Sequence, residues 1–299
     1  MKHTVFTGSA CAIITPFTKD GKIDYPTLKK QVEFQIKNGT DAIVVCGTTG
    51  EASVLSNKEH RQVIRSVVKY VDNRVPVIAG TGSNSTEAAV KRSNAAESAG
   101  ADALLIVTPY YNKCSQDGLI EHYSFISKRT CLPIIVYNVP SRTGVDIRPE
   151  TYKELAEIRN IVATKEANGN ISALMKTLSL CRNKLDIYCG NDDQCAAFMA
   201  MGAKGVISVL ANVMPKEMHT LAKLCSDGKT KESVTRQLEL LGIANTMFCD
   251  VNPIPVKYAM KVMGFDSGVY RLPLNDTTEI NKRHIRDALR EHRLIQTSH

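Results

Sequence analysis

Ala99-Gly100-Ala101-Asp102-Ala103-Leu104-Leu105-Ile106-Val107-Thr108-Pro109 is the stretch from which the fold can be read. A glycine sits where a helix ends in the left-handed conformation, and a short apolar run follows almost at once. The same junction recurs in Asn38-Gly39-Thr40-Asp41-Ala42 and in Met201-Gly202-Ala203-Lys204-Gly205. A helix stop followed directly by a buried strand, repeated along the chain, describes a βα repeat. A doubly wound nucleotide-binding sheet would instead need a GxGxxG turn after an early strand. Gly80-Thr81-Gly82 comes nearest and lacks the third glycine.

Working outward, β-rich runs recur at Ser9–Phe17, Asp41–Gly47, Val75–Gly80, Ala101–Pro109, Leu132–Tyr137, Ile161–Glu166, Leu185–Gly190 and Lys204–Leu210. Helical patterns lie between them, at Tyr25–Asn38, Lys58–Val71, Thr86–Ser98, Leu119–Thr130, Pro149–Ile158 and Ile171–Cys181. Alternation of this kind predicts a parallel sheet, and eight units predict closure into a (β/α)8 barrel. After Leu210 only helical patterns remain: Pro215–Cys225, Lys231–Cys249, Pro255–Met263 and Asp276–Leu294. We divide the chain into a catalytic barrel, 1–226, and a C-terminal helical subdomain, 227–299.

Composition narrows the class. Hydrophobic residues make up 43% of the 299 and charged residues 23%, which predicts a packed core. No run approaches the roughly 18 apolar residues of a membrane span. The first residues, Met1 to Phe6, lack the apolar stretch of an export signal, so a cytoplasmic location is expected. Nine cysteines, odd in number and without CxxC pairs, read as reduced core residues and not as a zinc site. The net charge of +8 is spread along the chain. Its one dense stretch, Lys282 to Arg293, is interleaved with acids and reads as a solvated helix face, so no nucleic-acid partner is expected. A positive excess suits small anionic substrates.

In such barrels the chemistry sits at the carboxyl ends of the strands. The second strand ends in Gly47-Thr48-Thr49-Gly50-Glu51, two hydroxyls bracketed by glycines that let backbone approach a ligand. The fourth ends in Tyr110-Tyr111, and the fifth in Tyr137, with Arg142 following. Tyrosine can donate a proton, and arginine can clamp a carboxylate. The sixth carries Lys165-Glu166. Burying an ammonium is costly, so desolvation at a barrel mouth favours the neutral amine that attacks carbonyls. Side chains alternate along a strand, so Glu166 should point away from Lys165. The seventh and eighth strands offer backbone around Gly190 and Ile207.

Taken together, Gly47-Thr48-Thr49-Gly50-Glu51, Tyr137-Asn138-Val139-Pro140-Ser141-Arg142-Thr143-Gly144 and Lys165-Glu166 resemble the dihydrodipicolinate synthase and N-acetylneuraminate lyase family of class I aldolases. The likeness runs from Ile14-Thr15-Pro16-Phe17 to Asn252-Pro253-Ile254-Pro255-Val256-Lys257. The resemblance implies a lyase that needs no metal or organic cofactor, with Lys165 forming an imine with pyruvate and Tyr137 moving protons at the imine carbon. It implies that Thr48 links Tyr137 to Tyr111 of a neighbouring subunit. Thr49 would hold the pyruvate carboxylate, Gly190 and Ile207 would offer carbonyls, and Arg142 would hold aspartate semialdehyde. The implied reaction condenses these two substrates to 4-hydroxy-tetrahydrodipicolinate in lysine and diaminopimelate biosynthesis, in a homotetramer built as a dimer of dimers. The alternative is a related aldolase acting on a sugar acid; Thr49 and Arg142 resemble the synthase branch. Thr164, where an apolar residue is usual, and Cys189, where serine is common, depart from the pattern.

Lysine-sensitive relatives bind the amino acid in a cleft at the tight-dimer interface. The matching positions here are Ala52, Ser53, Asn57, His60, Asn84 and Tyr110. The acid that should grip the ligand's amino groups is displaced: Glu87 comes one residue early and Ala88 takes its place. One residue on a helix is about 100° of rotation. Weak or absent inhibition by lysine is therefore expected.

Overall fold

The computed structural model describes residues 4–296, so Met1–His3 of the N-terminal reading lie outside it. Eight parallel strands close into a barrel in sequence order: β1 Gly8–Ala12, β2 Ala42–Val45, β3 Val77–Gly80, β4 Ala103–Val107, β5 Ile134–Asn138, β6 Ile161–Glu166, β7 Asp186–Cys189 and β8 Gly205–Ser208. β8 returns to pair with β1, with Gly8 beside Gly205 and Cys11 beside Ser208. The (β/α)8 barrel expected from the repeat is the fold observed.

The connecting helices are α1 Tyr25–Lys37, α2 Asn57–Val71, α3 Thr86–Ser98, α4 Gln116–Ser127, α5 Pro140–Thr143, α6 Pro149–Leu155, α7 Ile171–Cys181, α8 Cys195–Ala200 and α9 Pro215–Ser226. Their starts follow from local chemistry. Ser56 accepts from the Glu59 amide while Glu59 reaches back to the Ser56 amide, a capping box that opens α2. Ser85 caps α3 with a single bond, its hydroxyl accepting from the amide of Ala88. The three glycines of the repeated junctions, Gly39, Gly100 and Gly202, all have positive φ, at 85°, 91° and 108°. Three further helices follow: α10 Thr230–Thr246, α11 Ile254–Val262 and α12 Glu279–Glu291. Helix α9 packs on β1 and β8 as the eighth outer helix, and α10 and α12 pack together beyond it.

Two cores result from strand alternation. Ala10, Ala12, Val44, Leu105, Ile135, Tyr137, Tyr188 and Ile207 fill the inside of the barrel. Phe6, just before β1, stacks on Tyr188 with ring centroids 4.2 Å apart. The larger core lies between barrel and helices and contains the opposite residues of each strand, such as Cys11, Ile43, Val45, Leu104, Ile106 and Val136. Cys11, Cys46, Cys189 and Cys195 are buried with free thiols. Among the described residues, no helix is long and apolar enough to cross a membrane.

Candidate active site

Register sets the site. Tyr137 pairs with Lys165, and Lys165 with Tyr188, so three consecutive strands turn these side chains to the same face. Lys165 is buried, 5% exposed. Its Nζ lies 4.4 Å from the centre of the Tyr137 ring. Among the described residues no carboxylate comes within ion-pair distance of that ammonium. Gly190 explains its own identity here: a Cβ would stand 3.2 Å from Lys165 Cε, 2.9 Å from the Glu166 carbonyl oxygen and 2.7 Å from Ala167 Cβ. Only a glycine lets the top of β7 approach the lysine stem this closely.

Glu166 turns to the outer layer, as alternation requires. Its carboxylate accepts from Tyr152 Oη at 2.7 Å, from Asn138 Nδ2 at 3.0 and 3.1 Å, and from the Asn168 amide at 2.9 Å. Burial pushes the acid up to about 7 despite these donors. Thr164 also faces outward, its hydroxyl 3.1 Å from both the Val136 carbonyl and Tyr152 Oη. Its hydroxyl thus belongs to the network that ties the tops of β5 and β6 together.

A cavity of about 330 Å³ opens beside Tyr137. Thr48, Tyr110, Tyr137 and Arg142 line it, together with Ala52, Ser53 and Arg92. Thr49 is buried and its hydroxyl accepts from Asn252 Nδ2 at 3.1 Å. Arg142, on α5, is exposed and donates to the Asn252 carbonyl at 3.3 Å. Ile207 lies wholly buried inside the barrel, one ladder over from Ala10. Tyr111 is the outlier. It is 87% exposed and has φ 75°, a left-handed backbone at a non-glycine residue. The sequence expectation thus finds Lys165, Tyr137, Thr48 and Arg142 around one barrel mouth, and Tyr111 pointing off it into solvent.

The effector set divides. Ala52, Ser53 and Tyr110 share the cavity wall. His60 is buried and its Nε2 is 2.8 Å from the Gly80 carbonyl, so its polar end is engaged inside the fold. Asn57 is exposed on the first turn of α2, and Asn84 is half-buried before α3. Glu87 lines a different groove, between α3 and α4, with Thr86, Glu121 and His122.

The descriptive model of the dihydrodipicolinate synthetase family matches residues 5–292. The chain belongs to that family. It is 49% identical over 286 residues to the 4-hydroxy-tetrahydrodipicolinate synthase of Clostridium novyi, covering 96% of both chains. The crystal structure of the chloride-inhibited Acinetobacter baumannii dihydrodipicolinate synthase complexed with pyruvate superposes with a TM-score of 0.95 at 44% identity, covering 98% of this chain and all of that one. A dihydrodipicolinate synthase variant described as monomeric superposes with a TM-score of 0.95 at 40% identity, covering 97% and 98%.

Family membership makes the unforeseen residues of the mouth worth naming. Asn252 bonds both candidate carboxylate holders, Thr49 through its side chain and Arg142 through its carbonyl. Glu51, closing the Gly47–Glu51 turn with φ 51°, forms an ion pair with Lys257 at 2.6 Å, both side chains fully buried. Lys257 also donates to the carbonyls of Thr15 at 3.2 Å and Val269 at 2.7 Å. Asp192 accepts from the amides of Val209 at 3.0 Å and Leu210 at 2.8 Å, which fixes the chain leaving β8. The signals were present as Asn252-Pro253, Lys257 and Asn191-Asp192, but their partners lie far away in sequence.

Proposed function

We propose that the chain condenses pyruvate with aspartate 4-semialdehyde through an imine on Lys165, giving 4-hydroxy-tetrahydrodipicolinate. The observation that carries this reading is the buried Lys165 side chain, its Nζ 4.4 Å from the centre of the Tyr137 ring and, among the described residues, in no ion pair. An amine so placed can reach a carbonyl admitted at the mouth. The amine adds to the pyruvate ketone and water leaves. The imine draws electrons from the neighbouring methyl, a proton is lost, and the resulting enamine carbon attacks the aldehyde. Attack by the semialdehyde's own amine on the imine carbon then closes the ring and returns Lys165. No step calls for an electron sink other than the imine itself.

Roles for the surrounding groups follow from position. Tyr137 carries protons to and from the imine carbon, in line with Thr48 on the same wall. Thr49, steadied by Asn252, holds the pyruvate carboxylate, with the carbonyls of Gly190 and Ile207 near the reacting centre. Arg142 is the carboxylate clamp for the semialdehyde, since a guanidinium fork matches a planar carboxylate. Tyr111 completes the relay from a neighbouring subunit: exposed on its own chain, it is placed to enter another. Such sharing needs at least a dimer; the homotetramer of paired dimers is what the family resemblance implies, and we take residues 1–226 as barrel and 227–299 as helical subdomain. Cytoplasmic residence fits a biosynthetic enzyme with these substrates. Sugar-acid cleavage is the weaker alternative, because Arg142 offers a carboxylate clamp where a polyhydroxy substrate needs hydroxyl partners.

The test is reduction by borohydride in the presence of pyruvate, followed by peptide mapping. One adduct per chain on the peptide holding Lys165 is expected, and none in Lys165→Ala. In parallel, Arg142→Lys should impair use of aspartate semialdehyde while pyruvate trapping survives. An adduct elsewhere, or an equal loss for both substrates in Arg142→Lys, overturns the respective assignment.

A further inference from the structure

The cysteines are scattered along the sequence, but the fold brings two of them together away from the barrel mouth. Cys195 opens α8, Cys225 lies in the last turn of α9, and the two helices pack on one another. Cys195 is wholly buried, with Met199 Sδ 3.8 Å from its sulfur. Cys225 is half-buried, so solvent reaches this end of the pair. Its thiol meets the Cys195 thiol at hydrogen-bonding contact and also meets the Ser233 side chain of α10. Donation from Cys195, and then from Ser233, favours a thiolate at Cys225 and holds it below the ordinary thiol range. Burial does the reverse at Cys46, Cys114 and Cys189, whose thiols are pushed up and are correspondingly inert. Cys131 and Cys249 are exposed, so access alone does not distinguish Cys225. What distinguishes it is access together with a second thiol in contact.

We propose that Cys225 and Cys195 form an oxidative modification site, which takes a hydroperoxide at Cys225 and closes to a reversible disulfide with Cys195. An accessible reactive thiol beside a resolving one is the arrangement from which a sulfenic acid goes on to a disulfide. With hydrogen peroxide, the Cys225 thiolate attacks one oxygen. An S–O bond forms, the O–O bond breaks, and the departing hydroxide takes up the proton that the thiol gave, leaving as water. The Cys195 sulfur then attacks Cys225. The S–S bond forms, the S–O bond breaks, and the leaving hydroxide takes the Cys195 proton as a second water. The two thiols lose two electrons between them, and the peroxide gains both. The bridge ties the start of α8 to α9. That start follows closely on Asp192, whose carboxylate orders the chain leaving β8. No reacting group of the mouth takes part, so the site is separate from the imine chemistry.

The test treats the whole protein, reduced and then freed of reductant, with hydrogen peroxide, blocks remaining thiols with N-ethylmaleimide and maps the peptides by mass. The expected product is a peptide pair joined through Cys195 and Cys225, lighter by two hydrogens and restored by dithiothreitol. Cys195→Ala should stop at a sulfenic acid on Cys225, captured by dimedone, and Cys225→Ser should abolish the link. A second readout is the pH profile of alkylation by iodoacetamide. The rate at Cys225 should level off by about pH 8, while those at Cys131 and Cys249 still climb there. The site is overturned if peroxide consumes Cys131 or Cys249 before Cys225, if oxidised Cys225 proceeds to a sulfinic acid without joining Cys195, or if Cys225 alkylates with the profile of the exposed thiols. The wild-type map and profile need no variant, so a variant that folds poorly leaves the decision intact.

Discussion

Lys257→Met removes an ammonium from the interior of the barrel mouth and leaves its stem. The pair it forms with Glu51 has 0% exposure on both sides, and the lysine also serves the carbonyls of Thr15 and Val269. Two consequences add. Glu51 remains buried without its countercharge, a change that typically costs roughly 3–5 kcal/mol. Each orphaned carbonyl costs a further ~1 kcal/mol, some of which the methionine stem recovers by packing on Phe17. A total of about 4–6 kcal/mol is a large part of the 5–15 kcal/mol by which domains are stable. The loss should be relieved, not doubled, when Glu51→Leu is added, because the double variant buries no lone charge. Urea unfolding read by far-ultraviolet dichroism and tyrosine emission measures both, the chain having no tryptophan. A loss below about 1 kcal/mol in Lys257→Met, or a double variant as unstable as the two singles summed, would show that the pair does not hold the Gly47–Glu51 turn.

Four further outcomes are expected. Gly190→Ala should keep the fold but slow imine formation, because the new methyl displaces Ala167 and the Lys165 stem, contacts of 2.7 and 3.2 Å; single-turnover trapping reads this directly. Tyr137→Phe keeps the ring under Lys165 and loses only the hydroxyl, so pyruvate should still be trapped while turnover falls about a hundredfold or more. Glu166, raised to about 7 by burial, favours folding in its protonated form; that contribution is full below the ordinary carboxylate range and is lost as pH rises through about 7. Wild type should therefore lose stability relative to Glu166→Ala between pH 5 and 8, and parallel melting curves for the two would refute it. Lysine at millimolar concentration should inhibit weakly or not at all in steady-state assays, since the shared cavity is lined by Arg92 and Arg142 and, among the described residues, by no acid.

The fold was legible because both faces of every strand are buried, which leaves continuous apolar runs bounded by glycine stops. The bounds were less legible, for a physical reason visible at β1. The apolar run continues past Ala12 to Phe17, yet the ladder stops. The Ile13 amide still reaches the Val44 carbonyl at 3.0 Å, but the next amide, of Ile14, is taken by the Asn212 side chain at 3.0 Å. A side chain 198 residues away replaces a neighbouring strand, and no local pattern announces that. Helix α8 escaped for the opposite reason: Cys195–Ala200 reads CAAFMA, apolar on nearly every side, so it shows no helical period.

The same distinction governs the site. Lys165 declared itself because a charge at the end of an apolar strand breaks the local rule, and Tyr137 because register placed it alongside. What positions them was hidden, since its energy is spent between distant segments. Asn252 lies 203 residues from Thr49, and Lys257 lies 206 from Glu51. Each is an ordinary polar residue until folding brings its partner within 3.1 Å or less. Reacting groups are thus legible where they violate a local pattern. The groups that hold or complement them become legible only when the fold shows which charges found partners.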